Sequence, residues 1–522
     1  MSSTSIFICL CISALLAGIH WLVLEPLVWS HTSQIPGPKL FAITKWRLAY
    51  EDWKGSRTRT INALHEKYGP VVRIGPNEVS FNSLTALRTI YGTGSGFERT
   101  SFYRMFDVYG KQNLFTFGTA KEHSERKKMI AHAYSKSVMI KGPAADLVRR
   151  KVAAFLEFLE NDKERANEIF SSLHYFALDS ISEFVYGDMG RTDALGKSEA
   201  DRTLIRDILD PARRRLSWFS VHFPGSTKWL YTRTKFMERL VTPFLPMQKP
   251  TYSGIRDFAL KVWQTFLSAP ESDKVRPSMQ NSVMGTLWKH HSSQKAGGLQ
   301  DLDIASECAD HLLAGIDTTS DTLMFLIWAL SRPENSCFQK KLADEVSTIP
   351  MCSVDDRGVP SVDVCERLVY LHAVIKETLR LYAPLPASEP RSSPRDTVID
   401  AFKIPARTVV SMSPYSLHRN AEIFENALRF DPERWLGESA KVPEMKKWWW
   451  AFSSGGRMCI GMHLAMAEMT TLVATVYRNY VTSIRQGFEG ITPGITSRFE
   501  VFYDASVPEM KEHTCLISFS RR

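Results

Sequence analysis

Cysteine is scarce in this chain of 522 residues: Cys9, Cys11, Cys308, Cys337, Cys352, Cys365, Cys459 and Cys515 are irregularly spaced and form no CxxC pair. That excludes a disulfide-stapled miniprotein and a thiolate zinc site, and it fits a reducing compartment. No Asn-x-Ser/Thr sequon occurs, so nothing marks the body as glycosylated and lumenal. Walker and HExxH motifs are absent, as are zinc-finger, basic-zipper and aromatic RNA-binding patterns. The net charge of +9 therefore points to anionic lipid heads or an acidic protein partner rather than nucleic acid. One glycine-rich stretch, Gly92-Thr93-Gly94-Ser95-Gly96-Phe97, imitates a dinucleotide loop, but Phe97 replaces part of the pattern and no strand signal precedes it. With 44% hydrophobic residues, the chain has material for one large core or two ordinary ones.

Charge is missing from Met1 to Leu24, and Ile6 to Leu24 is mostly apolar. Nineteen helical residues span roughly 30 Å, one hydrocarbon core. A cleaved signal peptide would begin with a basic region, which is lacking here, so a retained anchor is expected over 1–30, with Trp21 and Trp29 at the interfaces. Lys39, Lys45, Arg47, Lys54, Arg57 and Arg59 follow the anchor and place the body in the cytosol. Between them, Ile35-Pro36-Gly37-Pro38 forbids a continuing helix and reads as a stiff hinge over 31–40. No second linker, repeat or low-complexity tract interrupts 41–522, which reads as one domain.

Apolar periodicity makes that domain mainly α. Helices are expected over 119–136, 144–160, 166–186, 200–216, 254–268, 301–331, 362–382 and 461–480. A hairpin fits Pro70 to Phe81 around Gly75-Pro76-Asn77, and further strands fit 384–413 and the carboxyl end.

Chemistry concentrates in the last two fifths. Phe452-Ser453-Ser454-Gly455-Gly456-Arg457-Met458-Cys459-Ile460-Gly461 sets a lone cysteine in a glycine-rich loop before a helix. Glycines let the backbone approach a flat cofactor. The helix amino terminus directs N–H groups at the sulfur and favours thiolate. Arg457 is a two-pronged donor suited to a carboxylate. The pattern FxxGxRxCxG resembles the fingerprint of the cytochrome P-450 family. Its five fixed residues arise by accident on the order of once in ten thousand chains of this length.

Two further segments carry the same resemblance. Glu377 and Arg380, at i and i+3 on one helix face, together with Arg434 in Phe430-Asp431-Pro432-Glu433-Arg434-Trp435, are similar to the family's buried Glu-Arg-Arg network. Ala314-Gly315-Ile316-Asp317-Thr318-Thr319 costs roughly 3 kcal/mol of helix propensity in the middle of an otherwise strong helix, a conflict that marks function. It resembles the AGxDTT signature, which implies that Thr318 holds oxygen and its water and that Asp317 is the neighbouring acid. The plainer reading is a helix bent by hydroxyl back-bonding, with Asp317 solvated.

The resemblance implies the cytochrome P-450 fold, large and helical with small β-sheets. It implies haem b with Cys459 as axial iron ligand, and Phe452, Gly455, Arg457 and Gly461 as cofactor contacts. At the propionates the family's Trp-x-x-x-Arg is replaced by His123-Ser124-Glu125-Arg126-Lys127. His123 and Lys127 are candidate substitutes, Arg126 is also in reach, and Arg391 matches another propionate position. The implied reaction is RH + O2 + NADPH + H+ giving ROH + H2O + NADP+, with electrons from NADPH through a separate reductase, and with cytochrome b5 as a further partner.

Microsomal members of the family sit in the endoplasmic reticulum membrane by a single pass. The 68–81 stretch and the Gly490-Ile491-Thr492-Pro493-Gly494 segment resemble fungal members that make secondary metabolites. An apolar small-molecule substrate is expected, with Leu312, Leu313, Pro386 and Ala387 lining its pocket. Trp218, Phe219, Phe223, Trp229 and Tyr231 around Pro224-Gly225 either dip into the membrane or belong to the core. Two rivals remain: a haem-thiolate isomerase or dehydratase, which the Asp317-Thr318 pair opposes, and a non-catalytic haem-binding protein, which would not need the conflict at 314–319.

Overall fold

The computed structural model describes residues 3–196, 198–206, 211–232, 239–241, 243, 253–293, 299–437, 441–493 and 514–522. Among them helix dominates and strands are short, as the periodicity requires. The apolar leader forms an α-helix, Ser3–Ile19, continued by wider π-type turns over His20–Trp29 around Pro26. Its stretch Ile6–Trp29 has a mean hydropathy of 2.4 and lies outside the core, so it is long and apolar enough to cross a membrane. The connector that follows is docked. Arg73 donates from Nη1 to the Pro26 carbonyl at 2.5 Å and from its backbone N–H to Pro36 O at 2.7 Å. A Cβ at Gly37 would lie 2.5 Å from Arg73 O, so only glycine fits there.

Arg73 belongs to β1 (Val71–Gly75), which turns into β2 (Glu78–Phe81) as the expected hairpin. The remaining strands are β3 (Glu98–Arg99), β4 (Arg391–Ser392), β5 (Thr397–Ile399), β6 (Phe402–Ile404), β7 (Val409–Ser411), β8 (Tyr480–Ile484) and β9 (Ile517–Arg521). The main sheet runs β1-β2-β7-β4-β3, with β2 and β7 parallel. Its register sets Arg99 directly opposite Arg391 across β3 and β4.

The long helix Asp301–Ser331 runs as expected, started by a capping box between Gln300 and Asp303. It packs against Ile169–Tyr186 and Met462–Asn479 through a shared apolar core. Gly315 permits the first contact, because a Cβ there would come 2.5 Å from the Ile181 side chain. Three expected helices differ in extent. The 119–136 segment stops at Ile130, and 362–382 divides into Val362–Cys365 and Val369–Leu381. The 200–216 segment is a short turn at Glu199–Arg202 and a separate helix, Pro211–His222, with 207–210 outside the described residues. Helices Arg57–Tyr68, Leu84–Tyr91, Val283–Ser293 and Ser336–Ser347 were not anticipated.

The helix Val369–Leu381 carries Glu377, which is fully buried. Its carboxylate accepts from Arg380 Nε at 2.8 Å and Nη2 at 2.7 Å, Asp431 N at 2.9 Å, Arg434 Nε at 3.0 Å and Trp435 Nε1 at 3.0 Å. A charge so fully satisfied is stable in the interior, whereas removing it strands two guanidinium groups. Glu377→Ala is therefore expected to cost about 3–5 kcal/mol or to prevent folding. Denaturant unfolding checks this, and a midpoint equal to wild type would refute the network's role.

Candidate active site

The network reaches the cysteine loop through one histidine. Arg380 Nη1 donates to His418 O at 2.8 Å, His418 Nδ1 lies 3.2 Å from Arg380 O, and Trp450 N donates to His418 Nε2 at 2.8 Å. Burial and the neighbouring Arg380 and Arg419 hold His418 down at about 3, so it is neutral, with Nε2 left as the acceptor. The loop then closes on itself: Cys459 N donates to Phe452 O at 2.9 Å. Gly455 has φ +62°, and a Cβ there would meet Tyr91 O at 2.4 Å, so the glycine sets the loop against the helix Leu84–Tyr91. Lys127 donates to the carbonyls of Gly456 and Met458, each at 3.1 Å. It thus clamps the loop backbone rather than reaching along the cavity floor.

Cys459 lies deep in the protein, yet its surface is open because it borders a cavity of about 240 Å³. Phe452, Arg457 and Gly461 border the same space, as do Ala314, Gly315 and Thr318 of the long helix. Asp317 is half-buried and does not line it. Thr318 donates to Ala314 O at 2.8 Å, so the back-bonding reading is correct for its proton, while its oxygen remains an acceptor. The wall follows the helical face 310, 311, 314, 315, 318, 319 and 322. Leu312 and Leu313 are off that face, and Pro384 and Leu385 line the cavity in place of Pro386 and Ala387.

At one edge the cations gather. Arg99, His123 and Arg457 line the cavity, and His123, Lys127, Arg391 and Arg457 line a second space of about 410 Å³ beyond it. That second space also touches Gly92, Gly94 and Gly96, the imitation dinucleotide loop, which follows a helix and no strand. Burial, then mutual repulsion with Arg391 and its neighbours, pushes Arg457 down to about 9 and Arg99 to about 10. His123 falls to about 2 for the same reasons and is therefore a neutral donor. Glu98, Glu389 and Asp310 are acidic groups that act on this cluster. Arg391 is bound by Glu389 at 3.1 Å and Tyr103 at 2.5 Å, and these outweigh burial to lift it above its ordinary value. Two arginines paired across strands repel unless an anion lies between them.

The family model for cytochrome P-450 matches residues 35–493. The chain is a cytochrome P-450. It is 32% identical to the cytochrome P-450 monooxygenase stcB of Emericella nidulans, covering 86% of this chain and 81% of that one. It is 28% identical to aflV of Aspergillus parasiticus, over 95% and 92%, and 28% identical to tazI of Aspergillus terreus, over 99% and 98%. This P-450 is thus an oxidoreductase of the haem-containing kind, and the residues present fit the cofactor. An excess of buried positive charge suits the two carboxylates of a haem, and an open-faced buried thiol suits its iron. Taken alone, burial raises the Cys459 thiol above its ordinary value against the pull of the Gly461 and Met462 N–H groups and Lys127. The helix terminus therefore does not secure the thiolate by itself.

Sequence reading missed Arg99, which sheet register brings opposite Arg391, and a network that reaches the cavity wall through Tyr134 and His311. Glu307, fully buried, accepts from Arg126 Nη1 at 2.5 Å, Leu114 N at 3.0 Å and His311 Nε2 at 3.2 Å, while Tyr134 bonds His311 Nδ1 at 2.5 Å. Arg126 is thereby engaged by Glu307 and lines neither of the two spaces. The available signal was Glu307, Asp310 and His311 standing in an apolar stripe. Burial raises the Glu307 carboxyl, but His311, Arg126 and the Leu114 N–H outweigh it, and its value is lowered. A depressed carboxyl contributes stability above the unfolded value and loses it as pH falls through the folded one. Glu307→Leu should therefore cost about 3–5 kcal/mol at neutral pH and less in acid. Thermal unfolding of both proteins across that range checks this, and a gap independent of pH would count against it.

Proposed function

We propose that this P-450 is a membrane-anchored monooxygenase that inserts one atom of O2 into an apolar small molecule, with Cys459 as the residue that would hold the iron of haem b. The observation that carries this is the buried, open-faced sulfur of Cys459 on the cavity that Thr318 also borders. Haem bound there supplies the iron at which dioxygen is made reactive, one oxygen atom entering the substrate and the other leaving as water.

The chain's own residues do the rest. Cys459 gives up its proton on binding, and the Gly461 and Met462 N–H groups and Lys127 stabilise the resulting charge. Arg99, His123, Arg391 and Arg457 would hold the propionates and so orient the cofactor. Phe452 packs beside the loop, 5.9 Å from Trp449. Thr318, its proton engaged by Ala314 O, accepts a hydrogen bond from a cavity water and so holds a proton donor in place. Asp317, one residue earlier and off the cavity wall, is the acid that resupplies that water.

Electrons come from NADPH through a separate reductase, with cytochrome b5 as an optional second donor. The net charge of +9 suits an acidic docking partner. Residues 1–30 anchor the protein in the endoplasmic reticulum membrane, 31–40 connect, and 41–522 form the catalytic domain in the cytosol. An aromatic face supports a membrane-resting orientation. Trp53 and Trp218 are 5.1 Å apart, Trp46 and Phe223 are 5.0 Å apart, and Phe219 and Trp229 are exposed. The Tyr231 side chain lies outside the described residues. Likeness to fungal monooxygenases along nearly the whole chain supports a place in secondary-metabolite biosynthesis.

The reduced, carbon-monoxide-bound protein is expected to show the strongly red-shifted thiolate Soret band, and Cys459→His is expected to lose it; a wild type without that band would sink the proposal. Thr318→Ala should keep haem yet release most of its NADPH-derived electrons as peroxide. Tight coupling of NADPH to product in that variant would refute the proton-holding role.

A further inference from the structure

The far end of the apolar leader is held by the body of the protein. Ser30 N donates to Glu25 O at 2.8 Å and ends the π-type turns, so the carbonyls of that last turn need other donors. Arg73 of β1, 47 residues beyond Pro26, supplies one of them: its Nη1 donates to Pro26 O at 2.5 Å. The same guanidinium donates from Nη2 to Pro76 O at 2.7 Å and from Nε to Gly75 O at 3.2 Å, which ties the leader to the turn between β1 and β2. It belongs to a residue only 3% exposed, and burial lowers it while Glu25 acts in the opposite sense. The connector repeats the attachment. Ser33 N donates to Ser30 O at 2.9 Å, Ile35 N to Thr32 O at 3.1 Å and Arg73 N to Pro36 O at 2.7 Å. Ile35 is buried in one apolar cluster with Val71 and Val79.

Ordering a connector costs backbone entropy, which a tether that merely joined two parts would not incur. A guanidinium presents its donors in a rigid fork, so carbonyls held by one such group have the angle between their segments fixed as well as the distance. We propose that Arg73 is a positioning residue that caps the membrane anchor from within the catalytic domain, so that anchor and domain move as one body and the domain rests on the bilayer at one tilt. The inference rests on reading 1–30 as the anchor. The path of the chain agrees with it: Lys39–Ile43 touches both the end of the leader and the helix Trp46–Trp53, which in turn packs on Pro211–His222. The aromatic face thus adjoins the point where the anchor leaves the domain, and a fixed joint keeps that face on the lipid.

The test uses the full-length, haem-loaded protein in phosphatidylcholine bilayers. Hydrogen–deuterium exchange is followed on peptides covering 27–37, and polarised absorption of the haem in aligned bilayers reads the tilt of the domain. Wild type is expected to protect 27–37 against exchange and to give a defined dichroic ratio. Arg73→Met removes every guanidinium donor while keeping an apolar stem; it should speed exchange there at least about tenfold and move the ratio toward that of an unoriented haem. Gly37→Ala, whose Cβ would press on Arg73 O, should act in the same direction with the guanidinium intact. Arg73→Lys still donates, so it should retain part of both the protection and the ratio. Exchange over Asp301–Ser331, the haem-to-protein ratio and the carbon-monoxide spectrum serve as folding controls. Faster exchange with an unchanged ratio would make Arg73 a local brace and overturn the positioning role. Free exchange over 27–37 in wild type, or protection that survives both Arg73→Met and Gly37→Ala, also overturns the inference. Wild type that alkaline carbonate strips from the bilayer would instead overturn the anchor reading, because the exchange pattern reports the joint whether or not lipid holds the leader.

Discussion

The carboxylate of Glu377 is the point from which the catalytic half is built. Five N–H groups converge on it from Arg380, Asp431, Arg434 and Trp435, so one buried anion joins a helix to a segment more than fifty residues away. Arg380 passes the constraint to His418, and neutral His418 passes it to the Trp450 backbone, two residues before the cysteine loop begins. Each link is directional and satisfied, which is why a short irregular loop holds one geometry without a disulfide.

Above the loop the electrostatics run the other way. Glu377 is an anion saturated with donors, whereas the cavity edge is a set of cations short of anions. Arg99 and Arg391 sit opposite each other in adjoining strands, and Arg457 is lowered by both. Such a cluster opposes folding of the bare chain and favours a dianionic guest, so cofactor binding and stability are coupled. The Glu307 network, which the long helix carries, is by contrast self-contained: its anion is matched by Arg126, His311 and the Leu114 N–H.

Much of this was legible in the chain. The motif around Cys459, the Glu377–Arg380 pair with Arg434, and the weak helical stretch at 314–319 are local in sequence and carry fixed spacing, and the structure sets Cys459 and Thr318 on one cavity. Helices with a continuous apolar face, such as Asp301–Ser331 and Met462–Asn479, follow directly from period. Misreadings arose where the face mattered rather than the element. Leu312 and Leu313 look like pocket residues by hydrophobicity, but their helical phase turns them to the core. Arg126 looks like a propionate donor by position, but Glu307, remote in sequence, claims it. Gly315 reads in the sequence as part of a stretch of weak helix propensity, and the structure supplies a packing reason for it, the approach to Ile181.

Residue type and spacing alone therefore determined the family, the helical class, the apolar leader and the thiol that faces the cavity, because those properties depend on the nearest few neighbours along the chain. Tertiary structure alone decided which cations share the cavity edge and which buried acids are paired. Charge partnership at those sites is set by strand register and helix packing between segments hundreds of residues apart, and no local pattern encodes it.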